Sequence, residues 1–150
     1  MNHHSPDMQN KKRALSAYIK LMRAAEAITG RIHRHLANHK LSVSQFGVLE
    51  AIFHLGPLCQ RDLARKLLKS GGNITMVITN LERRKLIRRR RDEADRRYYL
   101  VELTKDGKDL VETVFPDYAS RVVKEFSILD AAEQEELQRL CLKLGQQPQA

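Results

Sequence analysis

The hydrophobic period changes once along this chain, and that change restricts the fold more than any other feature. Ile74, Val77, Ile78 and Leu81 stand at i, i+3, i+4 and i+7, the stripe of an α-helix. The period then drops to two. Leu86-Ile87-Arg88-Arg89-Arg90-Arg91 and Arg97-Tyr98-Tyr99-Leu100-Val101-Glu102-Leu103 read as strands around a polar tip, Asp92-Glu93-Ala94-Asp95-Arg96. Two such runs joined by turn formers predict a hairpin.

Helices fill the rest. After a polar tail over residues 1–10, Leu15, Tyr18, Met22, Ala25, Ile32 and Leu36 recur at helical spacing over residues 11–38. Ser42 and Gln45 form a capping box for a second helix carrying Phe46, Leu49, Ile52 and Phe53, which Gly56-Pro57 stops. A short third helix, 60–68, would bury Leu63, Ala64, Leu67 and Leu68. Lys69-Ser70-Gly71-Gly72 breaks it before the helix over 73–85. Thr104 caps a helix that Pro116 should kink, and Asp130 with Glu133 caps a last one carrying Leu137, Leu140, Cys141 and Leu144. The predicted fold is mainly α with a small β-hairpin wing, an α+β chain. At 150 residues it needs no disulfide or metal to fold. Two distant cysteines, no apolar leader core and no membrane-length apolar run predict a cytoplasmic protein.

Charge narrows the function. The net formal charge is +9. Residues 83–100 hold nine of the 27 basic groups and only three acidic ones, whereas 101–150 are net acidic. Focused positive charge attracts a polyanion. Two short helices joined by a Ser-Gly-Gly turn and followed by a hairpin make a winged helix-turn-helix, whose second helix enters the major groove of a DNA duplex. With Ile74, Val77, Ile78 and Leu81 inward, the other face presents Asn73, Thr75, Met76, Thr79, Asn80 and Arg83. Asn can pair with adenine, Arg can fork onto guanine, and Thr or Met can touch thymine methyls. An ordinary exposed face would favour Glu and Lys. Gln60 joins the predicted contacts, and Ser70 and Gly72 at the helix start offer amides to a phosphate. On the wing, Arg90 meets backbone. At the tip, Asp95-Arg96-Arg97, either an arginine enters a minor groove with Asp95 orienting it, or Asp95 forms the turn and the arginines are solvated.

Other chemistries have less behind them. No nucleophile motif, phosphate loop or carboxylate pair points to catalysis, and no cofactor is implied. His35 and His39 stand four apart near His33, but no further ligand completes a metal set. Cys141 reads as core. Cys59 is the candidate for a redox-sensing alternative. A sequence-indifferent architectural DNA binder is another alternative.

Ser70-Gly71-Gly72-Asn73-Ile74-Thr75, Asn80-Leu81-Glu82-Arg83-Arg84-Lys85-Leu86-Ile87-Arg88-Arg89 and the stretch from Asp92 to Gly107 resemble the MarR family of bacterial transcriptional regulators. The most specific parts are Asp95-x-Arg97 and Leu103-Thr104-x-x-Gly107. The resemblance spans about residues 11–145. It implies homodimers in which residues 11–40 and 105–145 interlock as a helical dimerisation layer, while residues 42–104 form the DNA-binding unit. It implies a pseudo-palindromic operator read by one helix per half-site, with Arg97 in the minor groove beside Asp95. A small aromatic or phenolic effector that releases the DNA is also implied. Where many relatives carry an acidic residue just before the recognition helix, this chain has Ser70.

Overall fold

Apolar stripes from five helices and the hairpin close over one core. The computed structural model describes residues 6–67 and 71–146. Its order is α1 (Pro6–Ala37), α2 (Val43–Leu55), β1 (Leu58–Cys59), α3 (Gln60–Lys66), α4 (Gly71–Arg83), β2 (Ile87–Arg91), β3 (Tyr99–Leu103), α5 (Lys105–Phe126) and α6 (Ala131–Gly145). Leu36, Phe46, Leu49, Leu63, Ile74, Ile78, Leu81, Ile87, Val101, Val111 and Val114 are fully buried. Each such side chain contributes about 1.5–3 kcal/mol by leaving water. That exceeds what any single surface hydrogen bond on this chain adds, about 0.5–1.5 kcal/mol. Core packing therefore sets the position of α4.

The caps follow the sequence closely. Ser42 Oγ accepts the Gln45 N–H at 3.0 Å while Gln45 Oε1 accepts the Ser42 N–H at 3.0 Å. Asp130 and Glu133 close the same reciprocal box at 2.9 Å each way. Two helices end with a lysine in the left-handed region, Lys40 at φ 57° and Lys85 at φ 59°. In each, a 6→1 bond closes the turn, Leu41 N–H to the Leu36 carbonyl and Leu86 N–H to the Leu81 carbonyl.

Several boundaries depart from the sequence-based expectation. Helix α1 takes in residues 6–10, predicted as tail. Pro6 suits a first helical position, and Asp7 pairs with Lys11 at 2.8 Å one turn on. Helix α4 starts at Gly71, so the two glycines form its first turn rather than the break. Lys69, Ser70 and Leu68 lie outside the described residues. The sheet has a third strand, β1, in the order β1-β3-β2, with Leu58 opposite Val101 and Arg88 opposite Glu102. Helix α5 runs on through Pro116.

Within the protomer, Ile32 and Leu36 of α1 are buried, but Leu15, Tyr18, Ile19 and Met22 are exposed. Helix α6 buries no residue, and Cys141, expected in the core, is exposed because no element among the described residues covers that stripe. No helix among the described residues is long and apolar enough to cross a membrane.

Candidate nucleic-acid interface

Helix α4 separates its two faces cleanly. Ile74, Val77, Ile78 and Leu81 are buried, whereas Gly72, Asn73, Thr75, Met76, Thr79 and Arg83 are exposed and Asn80 is half-buried. Met76 stands 65% exposed, an apolar side chain offered to solvent. The face is tied together locally. Gln60, the first residue of α3, donates from Nε2 to Thr75 Oγ1 at 2.6 Å, linking the two helices of the motif. Arg83 reaches Asn80 Oδ1 at 3.4 Å. Among the described residues outside its own helix and neighbours, nothing lies within 4 Å of where a Cβ on Gly72 would stand. Ser70, the remaining residue predicted there, is outside the described residues.

The hairpin sorts its arginines by strand alternation. Arg88 and Arg90 share one face, where Glu102 bonds both, each Nε at 2.7 Å from a different carboxylate oxygen. Those two bonds, Arg90's first, hold the Glu102 carboxyl below the usual range. Arg89 faces Glu82 at 3.3 Å, which connects the wing to the end of α4. Arg91 donates to the Tyr99 hydroxyl at 2.8 Å and lies over its ring. At the tip, Arg97 grips Asp95 through both ends of the fork, Nε to Oδ1 at 2.9 Å and Nη2 to Oδ2 at 2.7 Å. Its backbone N–H also bonds Asp95 Oδ1 at 3.2 Å. The side chain of Arg97 is still 81% exposed. Side-chain bonding to Arg97 lowers the Asp95 pKa. Arg96 is exposed and pairs with no carboxylate among the described residues.

Three residues that order this surface escaped the sequence reading. Glu102 sits opposite Arg88 in register, so strand alternation alone could have found it. Glu82 and Tyr99 reach their arginines through tertiary packing and through the hairpin register. Behind the surface, Thr104 Oγ accepts the Gly107 N–H at 3.1 Å and donates to the Lys85 carbonyl at 2.7 Å. The Thr104 N–H bonds the Leu86 carbonyl at 3.1 Å. The Leu103-Thr104-x-x-Gly107 motif therefore locks the start of α5 to the corner between α4 and β2.

The profile described as "MarR family" matches residues 41–99. The chain is similar to the HTH-type transcriptional regulator MhqR of Bacillus subtilis (strain 168), 30% identical over 134 residues, or 89% of this chain and 92% of MhqR. The chain belongs to the MarR family. Another relative is the HTH-type transcriptional repressor NicR of Pseudomonas putida, 29% identical over 115 residues, 75% of this chain and 72% of NicR. Among solved structures, BpsR of Bordetella bronchiseptica, whose DNA binding is regulated by 6-hydroxynicotinic acid, superposes with a TM-score of 0.76. It is 30% identical and the match covers 86% of this chain and 98% of BpsR.

As a MarR-family protein, the chain is a winged-helix, DNA-binding transcriptional regulator. Asp95 and Arg97 pair at the tip of the hairpin, and Thr104 and Gly107 pair at the start of α5. Among the described residues no group of three His, Cys, Asp or Glu gathers as metal ligands. Cys59 is half-buried at the start of α3. His35 is buried, with Nδ1 3.2 Å from Asp117 Oδ2, rather than exposed to solvent or phosphate.

Proposed function

We propose that this MarR-family protein is a homodimeric, sequence-specific repressor acting on a pseudo-palindromic operator in the bacterial cytoplasm and released by a small aromatic or phenolic ligand. The observation that carries the reading is the exposed face of α4. From Asn73 to Leu81 it presents amides, hydroxyls and a thioether with no carboxylate, beside an arginine-tipped wing. Asn73, Thr75, Met76, Thr79, Asn80 and Arg83 read base edges. Gln60 positions Thr75. Gly72 presents its helix-start amide to a phosphate. Arg90 and Arg96 follow the backbone, and Arg97, aimed by Asp95, enters the flanking minor groove.

Dimerisation draws support from the apolar surface left open on the outer helices: Leu15, Tyr18, Ile19 and Met22 on α1, and Leu140, Leu142 and Leu144 on α6. Patches of that kind mark association sites, and a second copy of the same helices is the self-complementary cover. In this arrangement residues 11–40 and 105–145 form the joining layer and residues 42–104 the reading head. An aromatic ligand is supported by a cavity of about 290 Å³ walled by Leu36, Phe46, Glu50 and Tyr118, with the Phe46 and Tyr118 rings 4.6 Å apart. NicR's description as a repressor supports the direction of control.

Selection of bound fragments from genomic DNA, followed by anisotropy titration, tests the reading. A specific regulator prefers its selected site over bulk DNA by about 10³–10⁷. Sedimentation should give a dimer, converted to monomer by Tyr18→Glu with Met22→Glu. Equal affinity for all duplexes would establish an architectural binder instead.

A further inference from the structure

The end of α1 meets α5 through a buried histidine. The His35 side chain is only 4% exposed, and its Nδ1 stands 3.2 Å from Asp117 Oδ2 on α5. That contact puts the proton of the neutral ring on Nδ1 and leaves a lone pair on Nε2. Nε2 is buried and has no hydrogen-bond partner among the described residues. Such an orphan calls for an explanation. Histidine is also the side chain whose ordinary charge change falls between about pH 5 and 8.

The surroundings are cationic. Helix α5 faces the ring with Asp117, Arg121, Lys124 and Glu125, while α1 and the turn after it bring Arg31, Arg34 and His39. Most of these groups line a cavity of about 360 Å³ between the two helices. Arg31 bonds Glu125 with Nε at 2.7 Å and Nη2 at 2.6 Å, and Arg121 pairs with Asp117 at 3.2 Å. Arg34 and Lys124 pair with no carboxylate among the described residues, and both bear electrostatically on Glu125. The His39 ring stands edge-on to His35, centroids 5.6 Å apart. Burial, then the charge of Arg121, lowers the His35 pKa against the opposing pull of Asp117, and His39 adds to the lowering. A proton arriving at Nε2 thus finds no acceptor and an excess of positive charge. Only water or a new acceptor reaching Nε2 satisfies it, which requires α1 and α5 to separate there.

Both helices hold the reading head. Arg84, the residue after α4, donates from Nη1 to the Lys40 carbonyl in the turn after α1 at 2.7 Å. Helix α5 is fixed at its start to the corner between α4 and β2 through Thr104 and Gly107. A change in how α1 sits on α5 therefore reaches α4 from two sides.

We propose that His35 is an acid-operated latch: a proton on Nε2 parts the end of α1 from α5 and so loosens the reading head from its operator. Protonation of buried histidines is a general means of switching a packed interface. The loss of operator rests on the regulator reading above, but the opening of the joint does not.

Hydrogen exchange of the intact protein without DNA, read by mass spectrometry and corrected for the intrinsic rate, tests the opening. Between about pH 7.5 and 5.5, peptides from residues 28–40 and 112–126 should come to exchange at least about tenfold faster, and peptides from α4 no faster. His35→Gln should lose the acceleration. Two variants at exposed positions check the same event without touching the buried ring. Asp117→Asn removes an attraction for the proton and should move the opening to lower pH; Arg121→Gln removes a repulsion and should move it to higher pH. Anisotropy titration of the selected operator and of a scrambled duplex, over the same pH range at fixed ionic strength, reads the consequence. Protonated histidines add positive charge, so electrostatics alone tightens every duplex in acid. The latch demands the reverse for the operator, at least about tenfold weaker binding in the wild type and no weakening in His35→Gln. Unaccelerated exchange, acceleration kept in His35→Gln, equal acceleration in α4, shifts of the same sign in the two exposed variants, or operator affinity that holds in acid overturns the proposal. Failure to distinguish operator from scrambled duplex at about pH 7.5 overturns the regulator reading instead, and the exchange result still decides the latch.

Discussion

Gly107, three residues into α5, lies so close to Leu86 that a Cβ there would run into the Leu86 carbonyl oxygen. The collision is with backbone, so no rotamer can relieve it. Gly107→Ala should cost about 1–3 kcal/mol in urea unfolding at fixed protein concentration, as forced overpacking does. Gly30, in the C-terminal third of α1, has nothing among the described residues outside its own helix within 4 Å of its Cβ position. Gly30→Ala should gain about 0.5–1 kcal/mol from helix propensity. Equal effects at the two sites would contradict the close approach.

Asp95 allows a test in which the sign decides. Asp95→Asn removes a negative charge from the surface proposed to meet a polyanion, so simple electrostatics demands tighter DNA binding. If Asp95 instead aims Arg97 through the paired bonds at 2.9 and 2.7 Å, the variant binds operator more weakly. We expect the weaker binding, together with a lost preference among flanking sequences of different groove width. Anisotropy titration on a set of flank variants reads both.

At the base edges, Asn80→Ala should relax choice at a single operator position, costing about 1–3 kcal/mol against the correct base if the amide contact is bidentate. Competition across all single-base variants measures it. The same loss on every variant would assign Asn80 to the backbone or to support of Arg83.

Acid should destabilise the protein through His35. Burial, with Arg121 next, lowers its pKa below the ordinary value of 6.5, so the unfolded chain takes up the proton first as pH falls. This share of stability is complete above that value and is lost progressively as pH drops from 6.5 toward the folded-state value. Urea midpoints compared between about pH 7.5 and 5.5 should decline more steeply in the wild type than in His35→Gln. Parallel declines would remove His35 from the account.

What the sequence revealed depended on how local each determinant is. The boxes at Ser42–Gln45 and Asp130–Glu133 join residues three apart, and both formed as read. The stripe of Ile74, Val77, Ile78 and Leu81 fixed the outward face of α4 because one helix carries all of it. Strand β1 was missed, since two residues are too few to display a period. Cys141 was assigned to a core that no described element supplies, and it is exposed. The cavity lined by Arg31 and Glu125 brings together groups 94 positions apart, which only the packing of α1 on α5 reveals.

Of the six arginines on the hairpin, four already face a protein carboxylate: Arg88 and Arg90 at Glu102, Arg89 at Glu82 and Arg97 at Asp95. A duplex drawing on them exchanges one anionic partner for another, and fewer condensed counterions leave the DNA than a tally of guanidinium groups would give. In the proposed complex the hairpin would serve more as a rigid ruler than as an adhesive, and high ionic strength should blunt its grip less than its composition foretells.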